Sequence, residues 1–163
     1  MTVEIELTQG RVALIDQEDL ELVSRYRWRL STPNKWRQYA QAHIRRPDGR
    51  QAEVRMHRLI LGLTDPSVHV DHINGDGLDN RRANLRHCSP SENHRNRGRQ
   101  VNNTSGLKGV YWQKDRGKWK AQIQVNRKNH YLGRFTTAEE AHLAYCRAAD
   151  ELHGAFANYG EQP

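Results

Sequence analysis

The chain has 163 residues and a formal net charge of +7, and hydrophobic residues make up only 36% of it, with a mean hydropathy of −0.98. This composition excludes one large apolar core and predicts small modules instead. No run of about 18 apolar residues and no signal-peptide pattern is present, so we expect a cytoplasmic protein that contacts no membrane.

The positive charge is concentrated in the second half of the chain. Residues 1–80 hold 11 Lys and Arg against 12 Asp and Glu, whereas residues 81–163 hold 15 against 7. A basic half rich in amide and aromatic side chains indicates a nucleic-acid partner. Cys88 and Cys146 lie far apart and form no CxxC pair, so neither a disulfide framework nor a cysteine zinc site is predicted.

Residues 1–63 are predicted to form a small α+β subdomain. The alternating runs VEIEL and RVALI predict short strands, and DQEDLELVSRYRW predicts a short helix. The stretch YAQAHIRR is expected to be extended and to end in a turn at RPDGR. We expect this subdomain to support the more polar segment that follows it.

The next segment predicts the order strand, loop, strand, helix. Two brief extended pieces, VHVDHI and NLRHC, flank the loop NGDGLDNRR, in which Gly75 and Gly77 are expected to take positive φ angles. The helix is expected to begin with Ser89 as its N-cap, Pro90 at its first position and Glu92 closing a capping box.

Two adjacent residues of the first extended piece suit phosphodiester hydrolysis, which requires a base for water and a cation near the phosphate. On a strand, Asp71 and His72 point to opposite faces, so one is expected to hold metal and the other water. A carboxylate and an amide oxygen, such as that of Asn93, suit magnesium or manganese. His72 can accept a proton when neutral, since the ordinary histidine pKa is about 6.5.

These residues resemble the motif of HNH endonucleases, a family with a ββα-metal fold that includes phage homing enzymes. The matching positions are Asp71, His72, Asn84 and Asn93, with Asn93 nine residues after Asn84. The resemblance implies that Asp71 and Asn93 bind one divalent ion, Mg²⁺ or Mn²⁺, without a structural zinc. It also implies that His72 activates water and that Asn84 holds the loop that orients His72.

Several neighbouring residues leave alternatives open. His94 and Asn96 lie on the same predicted helix as Asn93 and would replace it if the register shifted. His69 shares a strand face with Asp71, but we expect it to face solvent or to be hydrogen-bonded. We expect His57 to be a satisfied packing residue, with a supporting role near the site as the alternative.

The region beyond a polar linker at residues 100–106 is predicted to form three short strands and one helix. WKAQIQV alternates apolar and polar side chains, NRKN is expected to turn, and HYLGRF is the third strand. A capping box at Thr137 and Glu140 begins a helix that ends at Gly154. Its apolar stripe, which is expected to cover the apolar face of the sheet, consists of Ala141, Ala144, Tyr145, Ala148, Ala149 and Leu152.

Residues 107–159 resemble the plant ethylene-response-factor type of DNA-binding domain, through GLKGVYW, GKWKAQIQV, YLGRF, TAEEAHLAY and FANY. In that family a three-stranded sheet enters the major groove of double-stranded DNA. The alternative for this chain is a sheet whose polar face is merely solvated. The DNA-binding residues that the resemblance and the polar face indicate are Lys108, Tyr111, Gln113, Lys114, Lys120, Gln122, Gln124 and Tyr131.

The sequence therefore predicts an α+β protein. A ββα-metal nuclease motif at 64–99 follows the subdomain at 1–63, and the linker leads to a DNA-binding domain at 107–163, a three-stranded antiparallel sheet packed on one helix. Arginines in and after the nuclease motif are expected to contact phosphates, although such residues often form only a solvated face. They are Arg81, Arg82, Arg86, Arg95, Arg97 and Arg99.

The predicted function is that of a metal-dependent, homing-type DNA endonuclease, acting as a monomer or weak homodimer in the host-cell cytoplasm if a phage encodes it. The N-terminal 100 residues are expected to cut, and the C-terminal sheet is expected to find the site. A non-catalytic DNA-binding regulator with a retained HNH fold is the alternative, and RNA cleavage is a weaker third hypothesis.

Overall fold

The computed structural model describes residues 1–34, 37–45, 49–96, 98–99 and 102–160. Contacts divide the chain into two units, Met1–Cys88 and Ser89–Pro163. None of the helices in the described ranges combines the length and the apolar character that crossing a bilayer requires. Arg97, a predicted phosphate contact, and residues 46–48 of the predicted turn RPDGR lie outside these ranges.

The first unit begins with a hairpin. Strand β1 (Thr2–Glu6) pairs antiparallel with β2 (Val12–Asp16), as the alternating pattern predicted. The helix that follows, α1 (Leu20–Val23), has only four residues and is shorter than the sequence predicted. The chain leaves the helix early and buries Trp28 in the core, where its indole Nε1 donates to the Val23 carbonyl at 2.9 Å.

A three-stranded antiparallel sheet follows in the order β3-β4-β5. Its strands are β3 (Arg29–Asn34), β4 (Arg37–Arg45) and β5 (Gln51–Arg55), and β5 leads directly into the short helix α2 (Met56–Ile60). The predicted extended stretch YAQAHIRR falls mostly in β4. One face of this sheet joins the core of the unit, which includes Ile15, Val23, Trp28, Leu30, Ala40, Ala42, Met56 and Ile60.

The last two strands of the first unit form a separate antiparallel pair. Strand β6 (His69–His72) pairs with β7 (Leu85–Cys88), which places Asp71 opposite Arg86 and His72 opposite Leu85. The two strands predicted on either side of the loop NGDGLDNRR are therefore confirmed.

The second unit begins with the short helix α3 (Pro90–Arg95). Its predicted capping box is present, because Ser89 Oγ accepts from the Glu92 backbone N–H at 3.2 Å and Glu92 Oε2 accepts from the Ser89 N–H at 2.7 Å. The local pattern Ser-Pro-Ser-Glu was sufficient to place this helix start.

A second three-stranded antiparallel sheet packs on a long helix. Its strands are β8 (Val110–Gln113), β9 (Lys118–Val125) and β10 (Lys128–Phe135), in the order β10-β9-β8. Helix α4 (Ala138–His153) covers its apolar face, with Ala121 and Ile123 of β9 buried beneath it. The predicted α+β fold, including this sheet packed on one helix, is confirmed.

Two details of the second unit differ from the sequence prediction. The turn between β9 and β10 consists of Asn126 and Arg127, with φ of +50° and +66°, so it is shorter than the predicted NRKN. Leu152 is 39% exposed, whereas the next residue, His153, is buried, so the buried stripe of α4 ends on His153 and not on Leu152.

Candidate active site and nucleic-acid interface

Asp71 is a buried carboxylate that pairs with an arginine on the neighbouring strand. Its side chain is 7% exposed, and Arg86 donates to Asp71 Oδ2 from Nε at 2.8 Å and from Nη2 at 2.6 Å. The two residues are direct cross-strand partners in the β6-β7 pair. Arg86, which the sequence grouped with the phosphate contacts, is therefore used inside the protein to balance the Asp71 charge.

His72 is buried beside the carboxamide of Asn80. Its Nε2 lies 3.5 Å from Asn80 Oδ1, and Asn80 is fully buried. Burial lowers the pKa of His72 below its usual 6.5, although Asn80 and the carboxylates nearby oppose this shift. The imidazole is therefore neutral near pH 7. An acceptor at Nε2 favours the tautomer that carries its proton there, so Nδ1 is the nitrogen able to accept a proton.

Asn84 ties together the two ends of the loop between β6 and β7. Its Oδ1 accepts from the Asn74 backbone N–H at 3.0 Å. Its Nδ2 donates to Asn74 Oδ1 at 3.0 Å and to the Asp79 carbonyl at 2.7 Å. These are the contacts of a residue that holds the loop beside His72.

The N-terminal hairpin holds the same loop through its backbone. The Leu14 N–H donates to the Leu78 carbonyl at 2.8 Å, and the Asn80 N–H donates to the Leu14 carbonyl at 2.7 Å. Strand β2 thereby aligns Asn80, the residue that faces His72. Within the first unit, the N-terminal residues contact the candidate site directly.

The two glycines of this loop serve different purposes. Gly75 has φ of +79°, as its turn position predicted. Gly77 does not have a positive φ, so that prediction was wrong. It is instead a point of close approach, because a Cβ atom there would lie 2.2 Å from the Gln38 carbonyl oxygen and 2.7 Å from Tyr39 Cδ1.

Two arginines predicted to contact phosphates have carboxylate partners within the first unit. Arg81 pairs with Asp79 at 2.6 Å, and this pairing lowers the pKa of the Asp79 carboxyl group. Arg82 pairs with Asp19 at 2.7 Å and also donates to the Ile60 carbonyl at 3.2 Å. The Arg82 contacts fasten the loop to the rest of the unit, whereas the Arg81 pair lies within the loop. The sequence predicted neither role.

Two aromatic side chains lie against His72. The ring of His57 stands edge-on to it at a centroid distance of 4.9 Å, and the ring of Tyr39 lies 6.0 Å away. His57 is buried as expected, but it is not satisfied: Nδ1 has no hydrogen-bond partner among the described residues. The sequence reading missed Tyr39 and Asn80, because no local pattern distinguishes them from other strand and loop residues.

The remaining motif residue, Asn93, lies half-buried on α3 in the second unit. Its two alternatives lie on or beside the same helix: Asn96 is buried at the C-cap, and His94 is exposed. The parts of the chain that the structure describes contain no group of three or more His, Cys, Asp or Glu side chains arranged to hold a metal ion. His69, at the start of β6, is exposed.

The polar face of the second unit's sheet combines residues from all three strands. Tyr111, Lys120 and Arg134 are aligned across β8, β9 and β10. Gln122 faces Tyr131 in the next row, and beyond it Gln124 faces Asn129. The predicted set Tyr111, Gln113, Lys120, Gln122, Gln124 and Tyr131 therefore shares one face.

Arg134 belongs to this face and was missed by the sequence reading. Strict alternation in HYLGRF separates it from Tyr131, but the register shifts between Tyr131 and Gly133 and brings the two to the same side. The Arg134 guanidinium lies 5.4 Å from the Tyr131 ring centre, and its Nε donates to Gln113 Oε1 at 2.7 Å. The glycine in that strand was the available signal for a bulge.

Lys108 does not belong to the polar face, and that prediction was wrong. Its Nζ donates to the Asn158 carbonyl at 2.9 Å and lies over the ring of Tyr145, a buried residue of α4. Burial lowers its pKa to about 8. Lys114, in contrast, is exposed in the turn between β8 and β9. Arg95 Nη2 donates to Asn126 Oδ1 at 3.3 Å, at the turn between β9 and β10.

Comparison with known proteins identifies both parts of the chain. The HNH endonuclease family pattern matches residues 54–95, and the AP2 domain pattern matches residues 105–155. Protein 3.8 of Escherichia phage T7 is 37% identical over 98 residues, which are 60% of this chain and 80% of that protein. The chain belongs to the HNH endonuclease family.

A second relative matches almost the whole chain. An uncharacterized HNH endonuclease of Acanthamoeba polyphaga mimivirus is 26% identical over 154 residues, which are 91% of this chain and 74% of that protein. The HNH match contains Asp71, His72, Asn84 and Asn93, and the AP2 match contains the polar face of the sheet. The combination of an HNH nuclease domain and a C-terminal AP2 DNA-binding domain, predicted from the motifs, is confirmed.

Proposed function

We propose that the protein hydrolyses phosphodiester bonds of double-stranded DNA, with His72 as the base that activates water. The observation that carries this proposal is the environment of His72. Its ring is neutral near pH 7, because burial lowers its pKa, and its Nε2 faces Asn80 Oδ1. Nδ1 can then take the proton of an attacking water molecule. Asn84 supports this geometry by holding the loop that carries Asn80.

The residue types at the motif positions suit one divalent ion, Mg²⁺ or Mn²⁺. Asp71 offers a carboxylate oxygen and Asn93 an amide oxygen. These hard donors suit Mg²⁺ and Mn²⁺ better than they suit Zn²⁺. Such an ion, when bound, neutralises charge that develops on the phosphate. The choice of Asn93 rests on its spacing from Asn84 in the motif. The choice of Asp71 is supported by its place beside His72 on β6.

We further propose that the polar face of the second unit's sheet binds the DNA duplex. Gln122 and Gln124 can offer paired hydrogen bonds to adenine, and Lys120 and Arg134 can contact phosphates. The AP2 match at residues 105–155 supports this role. Residues 64–99 would then be the cutting segment and residues 107–163 the segment that finds the site, in a monomer or weak homodimer. A phage-type enzyme of this kind would act in the host-cell cytoplasm.

A plasmid-nicking assay tests the catalytic part of this proposal. We expect supercoiled DNA to be cut in the presence of Mg²⁺ and protected when EDTA removes the metal. His72→Ala is expected to slow cutting by about 10²–10⁴-fold, the usual contribution of a positioned base. DNA binding, measured by gel shift, should persist.

The matched control is His69→Ala, which removes an exposed histidine from the same strand. Cutting by His69→Ala should equal that of the unaltered protein. Wild-type rates in His72→Ala would exclude His72 as the base. DNA binding without any metal-dependent cutting by the unaltered protein would instead favour a non-catalytic regulator.

A further inference from the structure

His57 carries a buried polar group that lowers the stability of the core. It lies at the start of α2 and is 5% exposed, and Met56 and Ile60 of the same helix are also buried. Its Nδ1 has no hydrogen-bond partner among the described residues. A buried polar atom without a partner destabilises a fold, whereas an apolar side chain of similar size does not. Packing alone therefore does not account for an imidazole here.

The ring of His57 packs against the ring of His72, the proposed base. The rings of His57 and His72 are nearly perpendicular, at 87°, with centroids 4.9 Å apart. This edge-to-face arrangement is a favoured geometry for two aromatic rings. Burial, with smaller contributions from His72, Arg55 and Arg58, lowers the pKa of His57 to about 2. His57 therefore stays neutral and does not compete with His72 for a proton.

Tyr39 completes the support from the three-stranded sheet. Its ring lies 5.8 Å from that of His57 and 6.0 Å from that of His72, and the Arg55 guanidinium covers it at 4.7 Å. The loop before Asn80 rests on the same tyrosine, since Gly77 leaves no space for a Cβ atom there. His72 is thus in contact with two aromatic rings and with the carboxamide of Asn80.

We propose that His57 is a positioning residue, which together with Tyr39 fixes the ring plane of His72 so that Nδ1 faces the attacking water. This inference rests on the proposed role of His72 as the base. Loss of the His57 ring opens space beside His72 and allows its imidazole to rotate. A misplacement of about 1 Å can lower a catalytic rate by about 10²-fold.

Kinetics at saturating DNA provide the first test. We expect His57→Ala to lower kcat by about 10–100-fold while KM stays within about twofold, because no DNA contact is lost. The matched control is Ile60→Ala, which removes a buried side chain of the same helix. It should destabilise the protein comparably and leave kcat unchanged. Equal losses of kcat in the two variants would overturn the inference.

His57→Phe keeps an aromatic ring and removes the buried nitrogen atoms. We expect this variant to be more stable than the unaltered protein and to recover most of the kcat that His57→Ala loses. It also keeps the question open to experiment if His57→Ala does not fold. A folded His57→Phe that cuts as poorly as His72→Ala would show that ring packing is not what His57 supplies, and would overturn the inference.

NMR spectra of the full chain with labelled histidine separate this inference from the proposed function. We expect the His72 ring signals to shift and broaden in His57→Ala and to stay sharp in Ile60→Ala. Unchanged His72 signals in His57→Ala would overturn the positioning role, whatever the activity. If His72→Ala still cuts DNA, the proposed function fails, and the NMR result still reports whether His57 holds the ring.

Discussion

The two candidate functional regions place their polar side chains in opposite environments. In the first unit, the polar residues of the candidate active site are buried: Asp71, His72, Asp79, Asn80 and Asn84 are each at most 9% exposed. In the second unit, the polar face of the sheet is open, with Tyr111 42% and Tyr131 55% exposed. A buried polar group must have partners in the protein, whereas an exposed one is already satisfied by water.

This difference separates stability from binding. Changes in the buried set are expected to lower the free energy of unfolding and to displace the candidate base at the same time. Changes on the exposed face are expected to weaken DNA binding and leave the fold intact. The following predictions test that separation.

The largest effect on stability is expected for Asn84→Ala. It removes the three hydrogen bonds to Asn74 and Asp79. Because Asn84 and Asp79 are buried, we expect a loss of about 3 kcal/mol in the free energy of unfolding. The control, Asn129→Ala, alters an exposed residue of the polar face and should change stability by less than about 0.5 kcal/mol. Urea unfolding measures both, and similar losses would contradict the distinction.

Acid should destabilise the first unit through its buried histidines. The pKa of His57 is about 2 in the folded chain, against the ordinary histidine value of 6.5. Below about pH 6.5 the unfolded chain therefore binds a proton that the folded chain does not, so the free energy of unfolding decreases as the pH is lowered. From about pH 7.5 to 5, His57 should account for about 2 kcal/mol of this loss.

Urea unfolding across this pH range in His57→Phe isolates that contribution. The stability of the variant should fall less steeply with pH, although His72, whose pKa is also lowered, adds a loss of the same sign. If stability falls equally with pH in both proteins, the buried neutral state of His57 is not the cause.

The smallest effect is expected on DNA affinity, from substitutions on the exposed polar face. Replacing both Lys120 and Arg134 by Ala should weaken duplex binding by about tenfold and lower the dependence of log affinity on log salt by about 2, one for each phosphate contact. The rate of cutting at saturating DNA should not change. Fluorescence anisotropy between about 50 and 200 mM salt measures the slope.

Lys128→Ala combined with Arg147→Ala is the control, since it removes the same charge from exposed residues elsewhere on the second unit. This control pair should change DNA affinity by less than the replacement of Lys120 and Arg134. A larger effect from the control pair would place the DNA-binding surface elsewhere.

Where the sequence prediction succeeded, the signal was local. The capping boxes at Ser89 and Thr137 placed the starts of α3 and α4, because an N-cap and its glutamate partner are only three residues apart. Alternation in WKAQIQV placed β9 and its two faces, because successive side chains on a strand point to opposite sides.

Where it failed, contacts distant in the sequence decided the outcome. Lys108 turns inward because Asn158, 50 residues away, offers its carbonyl. Arg82 pairs with Asp19 over a separation of 63 residues. The helix predicted from DQEDLELVSRYRW is shortened where Trp28 enters the core.

The sequence by itself determined the class of the protein, its two domain types and the residues of the HNH motif, because each depends on residue identity and on short spacings. Only the tertiary structure decided which side chains surround His72. Asn80, Tyr39 and His57 come from a loop, a strand and a helix, and are brought together by burial of a common core. Burial also lowers the pKa of His72, and it depends on the whole unit rather than on neighbours in the chain.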